Sequence, residues 1–115
     1  MDSKTTLQEL KVLVKDFVNR RNWAKYHNPK DLAESICIEA AELLEIFQWA
    51  TAEEASSWKN DPSKIDSIKD ELADVLIYCF SMANALDVDL SEAILKKLEK
   101  NEKKYPVEKY FGRSR

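Results

Sequence analysis

Apolar residues recur at spacings of three and four along most of this chain, the period of amphipathic helices. Leu7, Leu10, Val14, Phe17 and Arg21 mark one face of a first helix, predicted from Thr6 to about Asn22. Thr6-Leu-Gln-Glu9 reads as its capping box. Trp23 to His27 then reads as an aromatic and basic loop or fraying end. Asn28-Pro29 supplies an N-cap and a first-turn proline for a second helix reaching about Trp49. Thr51-Ala-Glu-Glu54 opens a short helix to about Lys59, and Asp61-Pro62 opens the next long one. There Ile65, Ile68, Leu72, Val75, Cys79, Met82 and Leu86 form a heptad-like seam. Asp89-Leu-Ser-Glu92 starts the last long helix, which carries Leu90, Ile94, Leu98 and Asn101 on one side and stops at Tyr105-Pro106.

This pattern predicts an all-α bundle of four main helices plus a short fifth, in a single domain spanning 1–115. The basic tail over 107–115 is expected to be flexible unless it docks on a ligand. From Leu72 to Phe80 the third long helix is apolar almost all round, so it is expected to be central or to lie at a two-fold subunit interface. We read the latter, giving a homo-oligomer: a dimer or a dimer of dimers.

Composition narrows the function classes. One glycine and three prolines among 115 residues leave few tight turns for an all-β fold. A net charge of −3 gives no electrostatic case for nucleic-acid binding. No apolar run resembles a signal peptide or spans a bilayer. Cys37 and Cys79 read as reduced core thiols, so the expected compartment is the cytoplasm.

The candidate chemistry is acidic. Glu39 with Glu42 and Glu71 with Asp74 each form an i, i+3 pair, on one face of a helix, among apolar neighbours. A lone Glu-x-x-Glu is usually a solvated pair. Two alike, both in apolar helices, are different. Carboxylates about 6 Å apart repel by about 3 kcal/mol at an effective dielectric near 20. Four that converge need a counter-charge. All-oxygen donors suit Mg²⁺, with Mn²⁺ as a substitute, rather than zinc. A di-iron site would want Glu-x-x-His motifs, and the one histidine, His27, lies in neither helix. Glu45, one turn on from Glu42, either ligates, orients a water or faces solvent.

Aromatic and basic groups flank these pairs. Trp23, Tyr26, Trp49 and Tyr78 are each ordinary core candidates, but Trp49 and Tyr78 lie close enough in sequence to the acidic pairs to stack on a base. Lys97, Asn101 and Lys104 share a helix face, which is a solvated face unless a polyphosphate lies opposite it. His27 and Lys30 sit at a helix N-terminus, where free N–H groups favour anions. The residues supply no nucleophilic triad and no glycine-rich phosphate loop.

Arg21-Asn-Trp23, His27-Asn-Pro-Lys30, Glu39-Ala-Ala-Glu42-Leu-Leu-Glu-Ile-Phe-Gln-Trp49, Glu71-Leu-Ala-Asp74-Val-Leu-Ile-Tyr78 and Asn101-Glu-Lys-Lys-Tyr-Pro106 together form a specific set. The chain resembles the MazG-like nucleotide pyrophosphohydrolases, and among them the short single-domain branch that includes the dCTP pyrophosphatases. The resemblance implies an oligomeric all-α fold and Mg²⁺ held by Glu39, Glu42, Glu71 and Asp74. The implied reaction is cleavage of a nucleoside triphosphate to monophosphate and pyrophosphate. It also implies that Trp23, Trp49, Tyr78 and Asn101 surround base and sugar, and that Lys97 and Lys104 lie near the phosphates. The dCTP-directed relatives carry a histidine on the first helix where this chain has Val14, so the resemblance carries the reaction class rather than the choice of pyrimidine. The competing readings are a non-catalytic helical oligomerisation module, its acidic groups paired with lysines, and a nucleotide-binding regulator without turnover.

Overall fold

Short polar side chains start five of the α-helices. In the computed structural model, which describes residues 1–113, Thr6 caps α1 (Leu7–Arg20), Asn28 caps α2 (Pro29–Phe47) and Thr51 caps α3 (Ala52–Ser57). Asp61 caps α4 (Pro62–Leu86) and Asp89 caps α5 (Leu90–Lys104). Each accepts a backbone N–H of the first turn that the helix itself leaves unpaired. The capping box at Thr6 and Glu9 is complete. Single 3₁₀ turns at Ala24–Tyr26 and Trp58–Asn60 bend the chain into α2 and α4. No strand occurs among the described residues. None of their helices is long and apolar enough to cross a membrane.

The all-α expectation holds, with four long helices and the short α3. One element is added: beyond Pro106, Val107–Tyr110 form a single turn, α6, and the Tyr105 and Tyr110 rings meet edge to face at 5.2 Å. Two local expectations are corrected. On α1 the covered edge runs through Leu7, Lys11, Val14 and Val18, while Leu10 and Phe17 are exposed. Lys11 can lie inward because its stem is apolar and its amine donates to the Val88 carbonyl at 2.7 Å. The Asn84 amide returns a bond to the Lys11 carbonyl at 3.0 Å, so α1 is tied to both the end of α4 and the loop after it. Cys37 is exposed rather than core, because its position on α2 points away from α4; Cys79 is half-buried.

The fully covered apolar core is small: Val18, Leu32, Phe80 and Ala83, where α1, α2 and α4 meet. The α2–α4 pairing is the most extensive, and α5 packs closely on none of the other helices. Ile94, Leu95 and Leu98 on α5 stay more than half exposed, and Leu72, Leu76 and Ile77 leave an apolar strip on the outer face of α4. The accessible surface is 9399 Å². A folded monomer of this mass has about 6,500 Å². The radius of gyration is 17.1 Å, against about 13 Å for a chain of this length.

Candidate active site

The paired helices α2 and α4 run side by side, and their acidic pairs meet. One carboxylate oxygen from each of Glu39, Glu42 and Glu71 lies within 4.8 Å of the others. Glu39, Glu71 and Asp74 are half-buried, and Glu42 is exposed. Oε2 of Glu39 and Oε2 of Glu71 are each shut off from solvent with no hydrogen-bond partner. A buried, unpartnered carboxylate oxygen is costly.

The electrostatics report the same strain. Loss of hydration comes first in pushing the Glu39 carboxyl up to about 7, followed by its contact with Glu42 and repulsion from Glu42, Asp74 and Glu71. Glu71 is raised for the same reasons, hydration loss first, then Glu42, Asp74 and Asp70. Asp74 therefore acts on two of the three, Glu39 and Glu71, although its oxygens lie outside the 4.8 Å cluster. Among the described residues, no ion pair involves any of these four carboxylates; the lysine pairs are Lys30–Glu34 and Lys96–Glu92, both exposed i, i+4 contacts. The donor set, all oxygen and short of positive charge, fits a hard divalent cation.

One helical turn away lies a cavity of about 240 Å³. Its aromatic lining comes from Trp23, Tyr26 and Tyr78, and Leu32, 1% exposed, lies beneath. Tyr78 is one turn past Asp74 on α4, and Ser35 is one turn before Glu39 on α2, so α4 runs from the carboxylates toward this cavity and the antiparallel α2 runs from the cavity toward them. Asp31 and His27 complete its polar side. Trp23 is placed by Phe17, ring to ring at 5.9 Å, with the Arg21 guanidinium 3.7 Å over Phe17. The sequence pattern does not single out Asp31 or Ser35; the i−4 spacing of Ser35 from Glu39 is the signal that marks it.

The remaining candidates lie elsewhere. Trp49 follows the C-cap of α2, at the end opposite the cavity, and is 89% exposed. Lys30 is turned to Glu34 in solvent, and the α2 N-terminus it borders is already occupied by the Asn28 side chain and the acidic Asp31. Lys97, Asn101 and Lys104 are on α5; Asn101 is half-buried and the two lysines are exposed. Glu45 is exposed on α2.

This arrangement of two Glu/Asp pairs on facing helices coincides with a family model, described as the MazG-like family, over residues 34–115. The chain belongs to the MazG-like family. Its similarity extends to dCTP pyrophosphatase 1 of Bos taurus, 35% identical over 105 residues covering 91% of this chain and 62% of that protein. Against dCTP pyrophosphatase 1 of Homo sapiens the identity is 35% over 102 residues, covering 89% and 60%. The chain thus spans only about three-fifths of these relatives. A pyrophosphatase of Archaeoglobus fulgidus, known from its crystal structure, is 43% identical with a TM-score of 0.77, over 87% of this chain and 92% of that one. The MazG-like match begins at residue 34, so Trp23, His27 and Asp31 lie outside it and rest on the wider similarity.

Proposed function

We propose that this MazG-like chain is a divalent-metal-dependent nucleoside triphosphate pyrophosphohydrolase, converting a (d)NTP to (d)NMP and pyrophosphate. The observation that carries the reading is the trio of converging carboxylates, two with orphaned buried oxygens, one helical turn from an aromatic cavity. That spacing suits a nucleotide lying along the α2–α4 groove, phosphates at the carboxylates and base between rings.

Glu39, Glu42, Glu71 and Asp74 would hold Mg²⁺, or Mn²⁺ in its place. When bound there, such a cation would supply counter-charge for the triphosphate and for the leaving group. The rest falls to the chain. Glu45, one turn beyond Glu42, would be the candidate to orient the attacking water. Trp23 and Tyr78 stack on the base, and Trp49 gives a further stacking face. Lys97 and Lys104 would supply positive charge toward the phosphates, His27 and Lys30 donors at the base end of the groove, and Asn101 a donor and acceptor toward sugar or base. Water attacks in line at phosphorus, the bond to the bridging oxygen breaks and pyrophosphate leaves; no protein nucleophile is required. The relatives named for dCTP make a pyrimidine deoxynucleotide such as dCTP, or a modified form, the favoured substrate, and cleaning of the nucleotide pool the fitting role.

We further propose that the working form is a homo-oligomer, a dimer or dimer of dimers. It rests on the exposed apolar strip of α4, the unpacked α5 and about 2,900 Å² of surface beyond that of an ordinary monomer. Stable homodimers commonly bury about 1,000–2,500 Å² per partner.

A panel of triphosphates screened for pyrophosphate release tests the activity. Chelated protein should be inactive and regain turnover on adding Mg²⁺. Failure of every triphosphate to yield pyrophosphate with Mg²⁺ or Mn²⁺ would return the chain to a binding or oligomerisation role.

A further inference from the structure

Deepening that reading, we infer that Asp31 reads the base: its carboxylate accepts a hydrogen bond from an exocyclic amino group, so the cavity selects an amino-bearing pyrimidine over one with a carbonyl there.

The cavity offers rings for the faces of a heterocycle and only a few polar groups for its edge. At about 240 Å³ it is smaller than the roughly 300–1,000 Å³ of a site for a whole drug-sized ligand. A single ring is the scale it suits. Stacking on Trp23, Tyr26 and Tyr78 supplies affinity without distinguishing bases, since every base has a π-face. Discrimination must come from the edge.

Ser35 and Asp31 differ in what they can say about an edge. A hydroxyl rotates to donate or accept, so Ser35 tolerates either pattern. An ionised carboxylate only accepts. Facing the 4-position of a pyrimidine, it is satisfied by the amino group of a cytosine-type base and repelled by the carbonyl of a uracil or thymine type. Asp31 is also fixed in place. Its backbone N–H donates to Asn28 Oδ1 at 3.0 Å, and Asn28 Nδ2 donates to Asp31 Oδ2 at 2.7 Å. This reciprocal clasp at the start of α2 holds the carboxylate beside the cavity and leaves it further lone pairs. A carboxylate present only to cap the helix would need the clasp but not the cavity.

Asp31→Asn separates these roles. The amide oxygen keeps the bond from Asn28, and the amide nitrogen presents a donor in place of an acceptor. Binding of dCMP and dUMP to the parent and the variant, by titration calorimetry, tests the pocket without needing turnover. The parent should favour dCMP about tenfold to a hundredfold. The variant should lose that preference or reverse it, with its melting temperature close to the parent's. The ratio of kcat/KM for dCTP and dUTP should move in parallel, mainly through KM. Equal binding of dCMP and dUMP by the parent, binding of neither, or an unchanged ratio in Asp31→Asn overturns the assignment. A parent that prefers dCMP yet releases no pyrophosphate from any triphosphate would refute the enzymatic reading and leave the pocket assignment standing.

Discussion

Between pH 4.5 and about 7, Glu39 in the folded metal-free chain holds a proton that the unfolded chain gives up, because hydration loss and the neighbouring carboxylates raise it from 4.5 to about 7. The folded state then binds more protons than the unfolded state, so stability falls as pH rises through that window and levels off above it. Glu71 is raised too and adds to the slope. The direction is opposite to that of a salt-bridged carboxylate. A cation at the site reverses it, since the ion binds the ionised groups and competes with protons. Thermal melts in chelator should therefore show a falling melting temperature from about pH 5 to pH 7.5. Glu39→Gln should flatten much of that fall, and saturating Mg²⁺ should raise the melting temperature most at the alkaline end. A metal-free parent that grows more stable across this range would mean the carboxylates are not gathered as described.

At the scale of the elements, the helix starts carry much of the local order. Thr6→Ala removes the acceptor for the Glu9 N–H at 3.1 Å and should cost about 1 kcal/mol of stability in urea denaturation. Because α1's first turn lies away from the carboxylates, turnover at 25 °C should not change, and a loss of activity at full folding would argue against that separation. The caps were legible because each is a short polar residue before an apolar period, often followed by proline. The facing of α1 was less so. Lys11 looks like a surface residue in sequence, yet its stem is covered and its amine finds Val88, 77 residues on. The meeting of the acidic pairs was legible because charge among apolar positions at i, i+3 has few innocent explanations when it occurs twice. Asp31 was not, because an acidic residue in the first turn of a helix already has a sufficient reason to be there.

Over the whole molecule, sequence periodicity shows which faces are apolar but not which chain covers them. Within one copy, Trp49 stands at one end of α2 and the ring-lined cavity at the other, with the carboxylates between them. The cations of α5 likewise belong to a helix that packs closely on neither α2 nor α4. A nucleotide held by one copy's carboxylates would meet these groups most simply if a second copy brought them, and the exposed Leu72, Leu76 and Ile77 give that copy a surface to bury. Leu76→Glu should then sediment as a smaller species and lose activity with all four carboxylates intact. Complementation sharpens the point. Asp74→Asn should be inactive because the amide is a poor ligand, and Trp49→Ala should be slow at substrate below KM because a stacking face is gone. Since Trp49 is 89% exposed in the single copy, its truncation should leave the fold of each protomer unharmed. If the two residues serve one site from different copies, a refolded equal mixture contains dimers with both lesions in one site and none in the other. Such a mixture should recover up to about a quarter of parental turnover, as random pairing across a two-fold interface requires. No recovery beyond the Trp49→Ala share alone would place both residues in the same copy's site and remove the shared-site argument.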